Sequence, residues 1–374
     1  MKILFTGGGT GGHFYPIIAI VEALYEEAVE KKVLTPKLYY MAPTKYSARE
    51  LFDHDIEFIY VPAGKIRRYF SLLNFTDVFK TIWGVISAFI KMYKIYPDIV
   101  FGKGGYASFP PLFAARLLNI PVIIHESDSA PGKVNAWAAK FAKKIAISYP
   151  EAYQYFDAKK VAFTGLPIRK EITYPLKEGA REFLNLEEKT PTIFIMGGSQ
   201  GAQKINDVII DSLPDLVNRY QIIHQTGRDN FEIVKETADI VLKDNANSYH
   251  YHPFDYLNSL AIRMSAGVSD IVISRAGSTI FEIATWGLPS IIIPLPKEIS
   301  HDQTKNAFSY AHTGACTVIE ENNLSSHILI SEIDRIVNNP SIKDRMRQGA
   351  KEFGHINAAK KIANEILELG LEHE

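Results

Sequence analysis

Short apolar runs alternate along the chain with stretches of helical periodicity. The runs are Ile3–Phe5, Lys37–Met41, Asp98–Phe101 and Val122–Ile124, then Ile193–Met196, Gln221–His224, Asp270–Ile273 and Ser290–Ile293. Runs this short and apolar predict parallel strands covered by helices on both faces. Their alternation with helical segments predicts α/β, doubly wound sheets. Ligands of such sheets bind beyond the carboxyl ends of the strands, so the residues just after each run are expected to carry the chemistry. At 374 residues the chain is long for one core, and two domains are expected. Thr164–Pro167 is the best linker, which divides the chain into residues 1–165 and 166–345. A helical tail over 346–374 is expected to return to the first domain.

The longest helical pattern lies in residues 65–94. Phe75, Val78, Phe79, Ile82, Ile86, Phe89 and Ile90 recur at helical spacing, with Thr76, Asp77, Lys80, Ser87, Lys91 and Lys94 on the other side. This predicts a helix whose apolar stripe packs on its sheet. Just before it, Lys65, Arg67 and Arg68 stand beside Tyr69, Phe70, Leu72 and Leu73. Basic residues with aromatic and leucine neighbours suit an anionic membrane surface.

One kind of loop occurs twice. Residues 3–24 and 193–213 each read as an apolar run, a glycine-rich turn and a helical pattern, and a third glycine turn, Gly102–Tyr106, follows another run. Such a turn aims backbone N–H groups and a positive helix end at one point, which suits a phosphate. Gly7, Gly9 and Gly12 also spell the dinucleotide fingerprint. A dehydrogenase would need an acid after the second strand, and that strand ends Tyr40–Met41–Ala42–Pro43. Hydride transfer is therefore disfavoured.

Composition narrows the classes further. A net charge of -1 argues against a nucleic-acid binder. The single cysteine, Cys316, leaves no intramolecular disulfide and fits a reducing compartment. No secretory leader is expected, because the apolar start stops at Thr6, and Ile82–Ile90 is too short to span a bilayer. Metal signals are weak: Asp53–His54–Asp55 reads as solvated acids, and His250 and His252 have no cysteine or carboxylate company.

Seven segments occur in a telling order: GGGTGGH (7–13), GKGGYAS (102–108), HESD (125–128), GLPIR (165–169), GGSQGA (197–202), SRAGSTIFE (274–282) and HDQTKNA (301–307). Together they resemble the MurG family, the N-acetylglucosaminyltransferases that convert lipid I to lipid II in peptidoglycan synthesis. The resemblance implies two Rossmann-like domains facing across a cleft, the GT-B arrangement. It also implies inverting chemistry without metal or cofactor, on the cytoplasmic face of the membrane and within reach of a cell-wall synthesis complex. The donor would be UDP-GlcNAc and the acceptor undecaprenyl-pyrophosphoryl-MurNAc-pentapeptide.

By matching positions, the resemblance places acceptor pyrophosphate at Thr10, Gly11, Gly12, Gly104, Gly105 and Tyr106, with Asp128 nearby. Ser199 and Gln200 would meet the donor diphosphate, the Phe254 backbone the uracil, and Glu282 the ribose hydroxyls. Gly277, Ser278 and Thr279 would line the donor side, and Asp302 and Gln303 would meet the sugar hydroxyls. Arg169 would reach the donor from the hinge. His13 follows the first loop and is the candidate base for the acceptor hydroxyl. Glu126 or Asp128 could instead be the base, or could orient His13. Rival readings are a hexosyltransferase acting on diacylglycerol, a UDP-GlcNAc epimerase and a non-enzymatic nucleotide-binding module.

Overall fold

The computed structural model describes the chain except residues 66–72, 198–201, 301, 355–356 and 374, and the side chains of 73, 74 and 373. The chain divides into two compact units, Met1–Arg169 with Ile356–Glu374, and Lys170–His355.

The first unit is built on seven strands: β1 Lys2–Thr6, β2 Lys37–Ala42, β3 Ile56–Tyr60, β4 Ile99–Gly102, β5 Val122–Glu126, β6 Lys144–Ile147 and β7 Val161–Phe163. They form one sheet in the order β3-β2-β1-β4-β5-β6-β7, and every pairing is parallel. Side chains of a strand alternate between faces, and here both faces are covered. Ile3 and Phe5 pack with Ile17 and Leu24 of the helix Gly11–Glu30 and with Ile362 and Ile366 of the helix Ala358–His373. Leu4 points the other way, to Ala88 and Met92 of the helix Leu73–Ile95 and Leu112 of the helix Phe109–Leu117.

The second unit repeats the plan with β8 Thr192–Met196, β9 Gln221–Gln225, β10 Tyr251–Phe254, β11 Ile271–Ser274, β12 Ser290–Ile292 and β13 Cys316–Val318. Their order is β10-β9-β8-β11-β12-β13, again parallel throughout. Ile193 and Ile195 pack with Ile205, Ile209 and Leu213 of the helix Gln203–Leu216 and with Leu329 and Ile333 of the helix Ser326–Val337. The doubly wound α/β class is thus as expected. The strands that hydrophobic runs did not reveal include the edge strands β3, β7, β10 and β13. An edge strand is only half covered, so its residues need not be apolar: Phe163 of β7 is exposed and all four residues of β10 are partly exposed.

The long helix Leu73–Ile95 overturns one expectation. Most of the expected stripe does not face the sheet: Phe75, Val78, Phe79, Ile82, Ile86 and Ile90 are 45–71% exposed, as are Trp83 and Tyr93 beside them, while Phe89 is partly buried against the core. The buried stripe is instead Asp77, Gly84, Ala88 and Met92. The reason is close approach. A Cβ on Gly84 would lie 2.0 Å from Pro62 O, and one on Gly64 would lie 1.9 Å from Asp77 O. Small residues let this helix sit tightly on the 62–64 segment, and the bulky stripe is left on the outside. Of the basic patch expected just before it, Arg67, Arg68, Tyr69, Phe70 and Leu72 lie outside the described residues, as does the side chain of Leu73. No described helix is long and apolar enough to cross a membrane.

Candidate functional site

In each sheet the strand order reverses at one point, between β1 and β4 in the first unit and between β8 and β11 in the second. A crevice at the carboxyl ends of the strands is the ligand site of such sheets, and glycine turns follow both strands at the first of these points.

After β1 the chain turns through Gly7–Thr10 into the helix Gly11–Glu30. Thr10 is the extended N-cap, yet its hydroxyl does not cap the helix. It lies 2.9 Å from His13 Nδ1 instead, and no acidic side chain occupies the first turn. The first N–H groups of a helix have no partner within it, so this end remains suited to an anion. After β4 the second turn is bent through positive φ at Gly104 (+89°) and Gly105 (+78°). A Cβ on Gly105 would stand 3.2 Å from Gly8 O and 3.4 Å from His13 Nε2, and the Tyr106 ring lies against Gly9. The two turns and His13 therefore form one surface. Burial, and then the positive charge of Lys103, lower the His13 pKa to about 3, so the imidazole is neutral at pH 7.

The loop after β5 is tied down by Glu126. One carboxylate oxygen accepts from Asp128 N (3.0 Å), and the other accepts from Gly132 N (3.0 Å) and Asn135 Nδ2 (2.9 Å). Burial and Asp128 push its pKa up to about 7 while its hydrogen bonds pull the other way. Asn135 also donates to His125 O and would touch a Cβ on Gly104 at 2.8 Å, so this one amide joins the β5 loop to the second glycine turn. His125 is a buried histidine whose Nε2 lies 3.1 Å from Gly165 O. Arg169 is buried with its guanidinium 3.8 Å from the Tyr15 ring centroid and 3.5 Å from Glu50 Oε1.

In the second unit the candidates gather by the same logic. β11 leads through partly exposed Gly277 and Ser278 into the helix Thr279–Trp286, whose first turn carries Glu282. Space is open where a Cβ of Gly277 would stand. Asp302 is the N-cap of the helix Gln303–His312, and Gln303 Oε1 accepts from Leu295 N at 3.0 Å. Phe254 ends β10, with its carbonyl accepting from Thr226 N at 2.9 Å. Ser199 and Gln200 lie outside the described residues.

Comparison with known proteins bears on this geometry directly. Residues 3–147 match the glycosyltransferase family 28 N-terminal domain and residues 192–366 the glycosyltransferase family 28 C-terminal domain. A Bacillus thuringiensis subsp. konkukian protein is 35% identical over 370 residues, which is 98% of this chain and 99% of the relative. That relative is named UDP-N-acetylglucosamine–N-acetylmuramyl-(pentapeptide) pyrophosphoryl-undecaprenol N-acetylglucosamine transferase 2. The crystal structure of Acinetobacter baumannii MurG superposes with a TM-score of 0.73 at 25% identity, covering 98% of this chain and 99% of that one. The chain belongs to the MurG family.

As a MurG-family chain it has the two parallel α/β domains of a GT-B glycosyltransferase. UDP-GlcNAc 2-epimerase from Neisseria meningitidis shares the fold, with a TM-score of 0.67 over 98% of this chain, but at 16% identity the likeness stops there. Within the first MurG-type unit, Thr10, Gly11, Gly12, His13, Gly104, Gly105 and Tyr106 come together, with Glu126 and Asp128 on the next loop. Two participants escaped the sequence reading. Asn135 gave no local signal, because its role depends on a contact 31 residues away. Lys103 was visible as the cation inside a glycine turn, but its burial was not. The Asp53–His54–Asp55 segment resolves into local ion pairs: Asp53 with Arg49, and His54 with Glu22 and Glu50. Among the described residues, no group of three or more His, Cys, Asp and Glu side chains is placed to hold a metal ion.

Proposed function

We propose that this chain transfers GlcNAc, with inversion, from UDP-GlcNAc to the MurNAc C4 hydroxyl of undecaprenyl-pyrophosphoryl-MurNAc-pentapeptide, converting lipid I to lipid II. The observation that carries this reading is the match to a transferase of that name along 98% of the chain, through both glycine-loop units. In the first unit the turns after β1 and β4 hold the acceptor diphosphate. In the second, Ser199, Gln200, Gly277, Ser278 and Thr279 hold the donor diphosphate. Glu282 takes the ribose hydroxyls, Phe254 the uracil, and Asp302 and Gln303 the sugar.

The reaction asks little of the protein beyond placement and charge. The acceptor oxygen attacks the anomeric carbon from the face opposite UDP, the bond to the diphosphate breaks, and its electrons leave with UDP. The hydroxyl proton goes to His13. His13 Nδ1 lies 2.9 Å from Thr10 Oγ1, and Nε2 is the nitrogen that faces Gly105. The base role calls for the tautomer that donates Nδ1–H to Thr10 Oγ1 and leaves Nε2 as acceptor. A diphosphate held by the same turns raises the basicity of that imidazole, since a nearby negative charge favours the protonated form. Glu126, with both oxygens occupied by N–H donors, positions the loop that carries Asp128.

Incubation with radiolabelled UDP-GlcNAc and a short-chain lipid I analogue is expected to give labelled disaccharide lipid. Label released as free sugar, or recovered on diacylglycerol, would remove this reading.

A lipid acceptor requires the enzyme to meet a bilayer, and the outward stripe of the helix Leu73–Ile95 suits that contact. Lys80 and Lys94 are exposed beside it, and its one acid, Asp77, is turned inward. Apolar and aromatic side chains flanked by lysines bind anionic interfaces. Changing Phe79, Ile82 and Ile86 together to serine is expected to weaken cosedimentation with phosphatidylglycerol vesicles by roughly tenfold or more. The melting temperature should change little, because these side chains are already exposed. Unaltered vesicle binding would sink the assignment.

A further inference from the structure

The acceptor reading leaves one residue of the first unit without a task. Lys103 follows β4 directly, and its N–H donates to Thr6 O at 2.8 Å. Its stem packs on the first glycine turn: a Cβ on Gly7 would come within 2.9 Å of Lys103 Cβ. The residue is only 1% exposed, and its Nζ is buried with no hydrogen-bond partner among the described residues. The charged or titratable groups around it come from three elements. They are His13 on the helix Gly11–Glu30, His125 and Glu126 at the end of β5, and Asp128 on the loop beyond.

Burying an ammonium without a hydrogen-bonded partner is strongly unfavourable. Glu126 does not relieve it by contact: its oxygens accept from Asp128 N, Gly132 N and Asn135 Nδ2, and the ammonium has no hydrogen-bond partner among the described residues. Burial lowers the Lys103 pKa to about 8, against the opposing pull of Glu126 and Asp128. A cost of this kind is retained where an anion arrives to offset it, and the turns on which Lys103 packs are where the reading above puts the acceptor diphosphate.

We propose that Lys103, whose stem packs on the first glycine turn and whose ammonium is buried behind it among His13, His125, Glu126 and Asp128, is a positioning residue for the acceptor and the fixed counter-charge for the diphosphate held there. This rests on the assignment of the first unit to the acceptor. Lys103 acts through its field in a low-dielectric interior, where a charge is felt far more strongly than in water. Its charge is present below about pH 8 and is lost above it. Acceptor capture by the free enzyme therefore weakens as pH rises through that value. Once the diphosphate is bound it favours the ammonium, so turnover at saturating acceptor is less sensitive.

The test is steady-state kinetics of the full chain with a short-chain prenyl-diphosphoryl-MurNAc-pentapeptide and UDP-GlcNAc. The pH is varied for the wild type, Lys103→Met and Lys103→Arg. The wild type should lose acceptor kcat/KM above about pH 8. Lys103→Met should lower acceptor kcat/KM by roughly 10–100-fold at neutral pH and abolish that alkaline limb. Lys103→Arg should retain most of the capture and move the limb upward, because a guanidinium does not deprotonate in this range. A folded Lys103→Met with wild-type constants and an unchanged alkaline limb would overturn the role of Lys103 while leaving the acceptor assignment standing. A change confined to the donor KM would overturn that assignment, and the proposal with it. Should Lys103→Met fail to fold, a wild-type profile with no alkaline limb would still refute the proposal.

Discussion

Replacing His13 by alanine is expected to lower kcat by roughly 10²–10⁴-fold at saturating concentrations of both substrates, the usual contribution of a general base. His13 stands at the start of a helix, 2.9 Å from Thr10 Oγ1, with its other nitrogen turned to the second glycine turn. Its removal deletes an acceptor for the attacking hydroxyl's proton and leaves the diphosphate cradle of backbone N–H groups in place. The acceptor KM should therefore move much less than kcat. A calorimetric scan of His13→Ala checks that the loss is chemical and not a loss of fold. Because the free-enzyme pKa is held down to about 3, His13 is neutral across the working range. It should contribute no acid limb to kcat/KM near neutrality. Near-normal turnover of His13→Ala would remove the base role from His13 and leave Asp128, on the loop that Glu126 anchors, as the candidate.

Glu282→Ala is expected to weaken UDP-GlcNAc binding by roughly 10–100-fold, the worth of hydrogen bonds to a charged acceptor. Glu282 sits in the first turn of the helix after β11, beside the reversal point of the second sheet. A carboxylate there can accept from both ribose hydroxyls at once. Glu282→Gln keeps the shape and one acceptor oxygen, so it should fall between alanine and the parent. Titration calorimetry with UDP-GlcNAc measures both variants, and the acceptor constants should stay close to the parent values. Parent-like affinity in Glu282→Ala would detach the ribose from this helix.

Much of the fold was legible because its signals are local. A parallel strand covered on both faces must be apolar along its whole length, as Ile3–Phe5 and Ile193–Met196 are, and a backbone that turns back to a phosphate needs glycine, as at Gly104 and Gly105. Seven short motifs in order then pointed to the family. Legibility failed where the answer depended on what lay opposite. The helix Leu73–Ile95 has an unmistakable apolar stripe, but periodicity says only that two faces differ. Its buried face proved to be the one with Gly84 and Ala88, because close packing on Pro62 rewards small side chains more than large ones.

The same distinction runs through the site. The chain alone determined which residue types stand after which strands: His13 after the first glycine turn, Glu126 after β5, Glu282 after β11. Tertiary structure decided what each could do. Glu126 reads in sequence as a free carboxylate at a strand end, yet three N–H donors make it the anchor of its own loop. Arg169 reads as a cation at a hinge, yet it lies over the Tyr15 ring and beside Glu50. Lys103 stands in sequence as a cation inside a glycine turn, and only the tertiary structure shows that its ammonium is buried. Charge and basicity depend on desolvation and on neighbours distant in the chain, and neither is written in the residues on either side.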